Sequence, residues 1–122
     1  DLAFVMGKYN QKGNDFWVWA IEEKEGGQFI GTCAIVKNEQ AEWEIGYKIR
    51  ECFWGKGFGY EVAQSLLNYC HKQMGLQEVL AYADTANIAS IKIIEKLGMQ
   101  FAEEIWNEEM QTQDLKFVSS VS

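Results

Sequence analysis

Between residues 42 and 50, hydrophobic and polar positions alternate. Trp43, Ile45, Tyr47 and Ile49 fall on one side, and Glu42, Glu44, Gly46 and Lys48 on the other. That period of two predicts a half-buried strand. Further on the period changes. Val62, Ala63, Leu66, Leu67, Cys70 and Met74 recur at helical spacing, with Glu61, Gln64, Ser65, Asn68 and Lys72 opposite them. This is the pattern of an amphipathic helix. The connection between the two is Phe53, Trp54, Gly55, Lys56, Gly57, Phe58, Gly59 and Tyr60. The local order is therefore strand, glycine-rich loop, helix.

The rest of the chain punctuates itself in the same way. Residues 16–21 and 28–36 are apolar, β-branched and aromatic, and Gly26 and Gly27 between them suit a hairpin turn. Trp17, Trp19 and Phe29 are expected in the core. Residues 1–9, with Leu2, Phe4, Val5 and Met6, read as the tail of a helix running into a polar turn at 10–15. A polar turn at 38–41 leads into the alternating strand. Gly75 reads as the residue that closes the long helix. Residues 78–83 read as a strand and 84–87 as a loop. Asn87 is placed to cap a helix through Leu97, with Ile91, Ile94 and Leu97 inward and Gly98 ending it. Residues 99–106 and 113–118 are two further strands around a polar turn. The order β-β-β-α-β-α-β-β predicts an α/β fold in which helices pack on a mixed sheet.

A glycine-rich loop that opens a helix presents unpaired backbone N–H groups and the positive end of the helix dipole. Its natural ligand is an anion, most often a phosphate. The Gly-x-Gly-x-x-Gly dinucleotide pattern fails, because the place of its last glycine is Tyr60 counted from Gly55 and Val62 counted from Gly57. The P-loop fails as well, since no Ser or Thr follows Lys56. What stands is a Gly-x-Gly-x-Gly run, conformationally costly unless the backbone must come close to something.

Composition narrows the partners. The chain has 122 residues, enough for one domain with one core, and a net charge of −7. That charge argues against nucleic acid, which requires a basic footprint. Cys33, Cys52 and Cys70 are odd in number and lack Cys-x-x-Cys spacing, so neither a disulfide framework nor a zinc site is indicated. Reduced thiols point to the cytoplasm, and no signal peptide or apolar run of membrane-spanning length is present. His71 falls on the polar side of the long helix, is expected to be solvated, and joins no metal constellation.

Three stretches in order carry a family resemblance: Glu44-Ile45-Gly46-Tyr47; Trp54-Gly55-Lys56-Gly57-Phe58-Gly59-Tyr60-Glu61; and Asn87-Ile88-Ala89-Ser90 with Glu95-Lys96-Leu97-Gly98-Met99. Together they resemble the GNAT superfamily of acetyl-CoA-dependent N-acetyltransferases, and most closely its ribosomal-protein N-terminal acetyltransferase branch. Gly57 and Gly59 match the last two places of the family's loop pattern, and Trp54 stands where Gln or Arg is commoner. The resemblance implies a mostly antiparallel, twisted sheet flanked by helices. It also implies a strand and one or two helices before the first hairpin, so the chain is expected to be a single acetyltransferase domain lacking that N-terminal part.

The same resemblance assigns roles. Acetyl-CoA is the implied co-substrate, its pyrophosphate held by the loop of Trp54, Gly55, Lys56, Gly57, Phe58 and Gly59. The pantetheine arm is expected in a gap beside a bulged strand, on the backbone of Tyr47, Lys48 and Ile49, with Asn87 assisting. One strand N–H would polarise the acetyl carbonyl, a strong catalytic device. Glu44 and the turn residues Glu108 and Glu109 are candidate general bases, with Glu109 at the place where the branch acts through water. Relatives often use a tyrosine acid on the helix after Asn87. None lies there, and Ser90 is the implied substitute that stabilises the departing thiolate.

The acceptor is expected to be a primary amine: a protein N-terminus, a polyamine or another small molecule. A protein α-amine is roughly 10% neutral at pH 7 and a lysine about 0.04%, so the first asks less of a base. A second copy of the chain is a further candidate partner. The alternative in another class is an inactive CoA-binding module that serves as sensor or scaffold.

Overall fold

The alternating segment folds as the strand at the centre of the molecule. The computed structural model describes residues 2–6 and 16–121. In chain order these form β1 (Leu2–Met6), β2 (Phe16–Glu23), β3 (Phe29–Lys37), β4 (Trp43–Ile49), α1 (Phe58–Asn68), β5 (Glu78–Asp84), α2 (Ile88–Lys96), β6 (Gln100–Asn107) and β7 (Thr112–Ser120). A short 3-10 turn, Glu51–Phe53, precedes the glycine loop, and a π-helical turn, Tyr69–Gln73, extends α1.

All seven strands join one sheet in the order β1-β2-β3-β4-β5-β7-β6. Among the described residues β4 and β5 are the only neighbouring strands that run parallel, and α1 supplies the crossover that such a pair requires. The N-terminal segment corrects the expectation of a helix tail. Leu2–Met6 is a strand paired antiparallel with β2, from Leu2 opposite Glu23 to Met6 opposite Trp19. Its few apolar residues suit either period, and the edge of β2 decides between them. The polar turn expected at 10–15 lies outside the described residues.

Helix α1 buries Val62, Ala63, Leu66 and Leu67, and its π turn buries Cys70. These meet Ile35, Ile45, Val79, Ala81 and Ile94 in one core. Gly75 closes the helix at φ +69°, and the Leu76 N–H reaches back to the Cys70 carbonyl at 3.0 Å. Two expectations need correction. Phe29 is 43% exposed because it starts β3 at the hairpin, whereas Trp19 is buried. His71 is half-buried rather than solvated, with Nδ1 2.7 Å from the Leu76 carbonyl and Nε2 2.9 Å from Ser119 Oγ. The π turn shifts the register and brings its ring against β7.

Candidate active site

The site arises where the sheet comes apart. β4 pairs with β5 only through Glu44 opposite Leu80 and Ile45 opposite Ala81. Beyond Ile45 the two strands diverge. On its other edge β4 stays in unbroken register with β3, from Trp43 opposite Lys37 to Ile49 opposite Gly31. The expected bulge is therefore not found; the gap opens on the β5 side alone. A cleft of about 190 Å³ occupies it, bounded by β4, β5 and the two helices, with Tyr47, Asn87 and Ser90 among its lining.

Ladder alternation tells which backbone groups face this gap. The Arg50 N–H donates to the Ile30 carbonyl at 2.8 Å. Two residues on, Lys48 turns its main chain toward Thr32, as Gly46 does toward Ala34. Tyr47 and Ile49 then point theirs the opposite way, toward β5. The Ile49 carbonyl is taken by the Trp54 indole N–H at 2.8 Å. Of the three strand residues expected beside the cofactor, Tyr47 and Ile49 thus turn their backbones to the gap. Lys48 contributes none there; its side chain joins a shallow groove with Val18, Thr32 and Ala34.

The glycine loop holds its shape through positive φ angles, +78° at Gly55 and +82° at Gly57, which caps α1. The Glu61 N–H is the first to close back on the loop, onto the Gly57 carbonyl at 3.2 Å. The N–H groups of Phe58, Gly59 and Tyr60 consequently have no acceptor within the helix. A Cβ on Gly55 or Gly57 would meet nothing within 4 Å, whereas one on Gly59 would stand 2.9 Å from Ile93 Cδ1 and 3.6 Å from Tyr47 Cε2. Gly59 is thus demanded by the packing of α1 on α2. Lys96 reinforces that contact, its Nζ 4.3 Å above the Tyr60 ring. Lys56 Nζ lies 5.8 Å over the Phe53 ring, beside the helix start.

Asp84, a residue the sequence reading passed over, begins the turn into α2. Its carboxylate accepts the Ala86 N–H at 2.9 Å and its carbonyl the Asn87 N–H at 2.8 Å. The Asp-Thr-Ala-Asn run at 84–87 is the signal that could have shown this Asx turn. Asn87 then caps α2 through the Ser90 N–H at 3.1 Å.

The candidate bases occupy different surroundings. Glu44 is half-buried on the sheet face opposite Tyr47, and its Oε2 accepts from Asn38 Nδ2 at 3.3 Å. Burial raises its pKa above the ordinary 4.5 and neighbouring Glu42 adds to the rise, while Asn38 and Lys116 pull it back. Tyr82 stands in the same environment, pushed up to about 12 by burial and by Glu44, Glu42 and Glu103. Lys116 lies 3.8 Å from both Glu42 and Glu103. Glu109 is exposed in the β6–β7 turn, and Glu108 beside it accepts the Trp106 indole N–H at 2.5 Å. Asp114 anchors that turn, accepting Asn107 Nδ2 at 3.0 Å and Thr112 Oγ1 at 2.9 Å. Since Asp114 pairs with Asp84, the turn lies at the sheet edge where the gap opens. The structure therefore brings Tyr47, Asn87 and Ser90 to one cleft, and keeps Glu44 and Glu109 apart from each other.

The thiols stand apart from this cleft. Burial pushes both Cys33 and Cys70 up to about 12, and Cys52 is exposed in the 3-10 turn. Among the described residues no group of three or more His, Cys, Asp or Glu side chains is placed to hold a metal ion. No helix among them is long and apolar enough to cross a membrane.

Known proteins resemble this chain. YkkB of Bacillus subtilis (strain 168), a protein described as uncharacterised, is 34% identical over 112 residues, covering 88% of this chain and 65% of its own length. The FsC-acetyl coenzyme A-N(2)-transacetylase of Aspergillus fumigatus is 31% identical over 101 residues, 75% of this chain and 41% of its own length. The chain thus spans less than two thirds of either relative. Among solved structures, a spermidine N-acetyltransferase SpeG variant from Vibrio cholerae superposes with a TM-score of 0.76 at 15% identity, over 89% of this chain and 68% of that one. Likeness at that identity speaks for the fold alone. The acetyltransferase (GNAT) domain family matches residues 3–100. The chain belongs to the GNAT acetyltransferase family.

Proposed function

We propose that this chain transfers an acetyl group from acetyl-CoA to a primary amine by direct attack, with no covalent enzyme intermediate. One observation carries the reading: the divergence of β4 and β5 beyond Ile45 and Ala81, in a cleft walled by Ala63 of α1 and by Asn87 and Ser90 at the start of α2. Its fit to acetyl-CoA rests on the outward-facing main chain of Tyr47 and on the first-turn N–H groups of α1. Hydrogen bonds to charged groups contribute roughly 1.5–3 kcal/mol each. Several such bonds from Phe58, Gly59 and Tyr60, with Lys56 beside them, offset a net charge of −7 that salt screens beyond about 8 Å.

Acetyl-CoA supplies the activated acyl group. The Tyr47 N–H polarises its carbonyl, and Asn87 and Ser90 line the path of the arm. The amine approaches from the opposite face, where Glu44 collects a proton, or from the β6–β7 turn, where Glu109 does so through water. The buried, high-pKa thiols of Cys33 and Cys70 are poor nucleophiles, which favours direct attack. Three unpaired cysteines also favour a reducing, cytoplasmic setting. The acceptor is a protein α-amine, a polyamine or another small amine.

Two measurements test this. Calorimetric titration with acetyl-CoA, CoA, NAD and ATP should show binding of the first two only. Turnover of acetyl-CoA against a panel of peptides with free N-termini, polyamines and amino sugars should reveal an acceptor. Binding without turnover on any amine would instead identify an inactive CoA-binding module.

A further inference from the structure

His71 and Ser119 are 48 residues apart in the chain, yet the imidazole Nε2 stands 2.9 Å from the serine Oγ. The other ring nitrogen, Nδ1, stands 2.7 Å from the Leu76 carbonyl. A carbonyl oxygen can only accept, so Nδ1 carries the ring hydrogen. In the neutral ring Nε2 is then the bare nitrogen, and the Ser119 hydroxyl donates to it. A nucleophile, a base and a group that orients the base are thus each within hydrogen-bond reach of the next. A backbone carbonyl takes the orienting place. It belongs to a fixed residue, because the Leu76 N–H donates to the Cys70 carbonyl at 3.0 Å.

Both partners of the pair are set by the fold. The π turn Tyr69–Gln73 carries His71, and the β5–β7 ladder holds Ser119 opposite Val79. Both residues are partly exposed, so a small electrophile from solvent reaches Oγ. Ser120, the next residue, is more exposed and points to the other face of β7. The pair also stands away from the residues assigned to acetyl transfer. Asn87 and Ser90 follow Asp84, which lies five residues along β5 from Val79, or roughly 16 Å at the rise of a strand.

We propose that Ser119 is a second acyl-accepting site of this protein: activated by His71, it takes a small acyl group from activated esters and thioesters. The site is independent of the amine-acetylating cleft and of the reading given to that cleft. In the step, the Ser119 Oγ lone pair forms a bond to the acyl carbon as the hydroxyl proton passes to Nε2. The carbonyl electrons move to oxygen and return, and the bond to the leaving oxygen or sulfur breaks with its electron pair. The proton on Nε2 then passes to the departing group or to solvent. Ser119 is left as an ester, and no oxidant or reductant is needed.

The test treats the native chain with p-nitrophenyl acetate and maps acetylated residues over time by mass spectrometry. Ser120 serves as the control within the same molecule, since it is the more exposed serine and lies on the other face. A positioned base contributes about 10²- to 10⁴-fold, and a carbonyl in the orienting place puts this pair toward the low end. Ser119 should therefore be acetylated at least tenfold faster than Ser120, and in denaturant the ratio should fall below threefold. His71→Gln keeps hydrogen-bonding groups at the position but cannot take the proton. In that variant, with circular dichroism matching the parent, the ratio should also fall below threefold. A native ratio under tenfold would overturn the proposal and leave the pair as a clasp between the π turn and β7. A high ratio that survives in His71→Gln or in denaturant would equally overturn it, because the reactivity would not come from the pair.

Discussion

The side-chain oxygen of Asn87 accepts the Ser90 backbone N–H at 3.1 Å, so Asn87 and not the Ser90 hydroxyl satisfies the start of α2. The two residues share one helix turn but divide the work. Asn87→Ala should cost about 1 kcal/mol of stability, the usual loss for a deleted N-cap. Ser90→Ala should leave the unfolding midpoint unchanged and lower kcat severalfold. Thermal unfolding alongside steady-state kinetics checks both; a Ser90→Ala protein that melts early but turns over normally would make Ser90 structural.

Gly57 and Gly59 should fail for different reasons. At φ +82° a non-glycine residue costs on the order of 1–3 kcal/mol and displaces the loop that opens α1. Gly57→Val should therefore melt several degrees lower and bind acetyl-CoA at least tenfold more weakly. In Gly59→Ala the added Cβ crowds the tip of Ile93, at 2.9 Å, and makes an ordinary contact with Tyr47 Cε2 at 3.6 Å. Pairing it with Ile93→Val, which removes that tip, should restore most of the lost affinity in calorimetric titration. No rescue would mean that the ligand and not α2 excludes the Cβ.

Glu44 links pH to both stability and rate. Its folded pKa is raised, so the folded state holds a proton that the unfolded chain releases near 4.5. Stability from this group is thus present below 4.5 and declines as pH rises through the raised value. Glu44→Gln should be at least as stable as the parent at pH 7, with the difference vanishing below 4.5. If Glu44 is the base, the acidic limb of kcat/KM should lie above the ordinary carboxylate range, and Glu44→Gln should lower kcat/KM ten- to a hundredfold. Glu109→Gln measured in parallel from pH 6 to 10 separates the candidates. Neither profile departing from the parent would make both ordinary surface charges.

Only one thiol should be open to modification in the native protein. Cys52 is exposed, whereas Cys33 and Cys70 are buried with pKa values of about 12. A thiol reagent at pH 8 should label one cysteine per chain quickly and all three in denaturant. Mass spectrometry of the labelled protein would show it, and acetyl transfer should survive alkylation of Cys52. Loss of activity on alkylation would reopen the question of a covalent intermediate.

Local periodicity by itself determined much of this protein. The alternation of Trp43, Ile45, Tyr47 and Ile49 and the helical spacing from Val62 to Cys70 specified β4 and α1, because each pattern buries one face only in its own period. The Asn87 cap and the closing glycines Gly75 and Gly98 were legible for the same reason: backbone φ and orphan N–H groups restrict residue choice locally. Pairing between distant segments decided the rest. Leu2–Met6 has too few residues to declare a period and became a strand because β2 offered an edge. The parting of β4 from β5 after Ile45 leaves no mark on side-chain identity, since it depends on how far two strands whose paired residues lie 36 positions apart stay in register. The close approach of α1 to α2 at Gly59 and Ile93 is likewise a contact between helices that no single window of sequence contains.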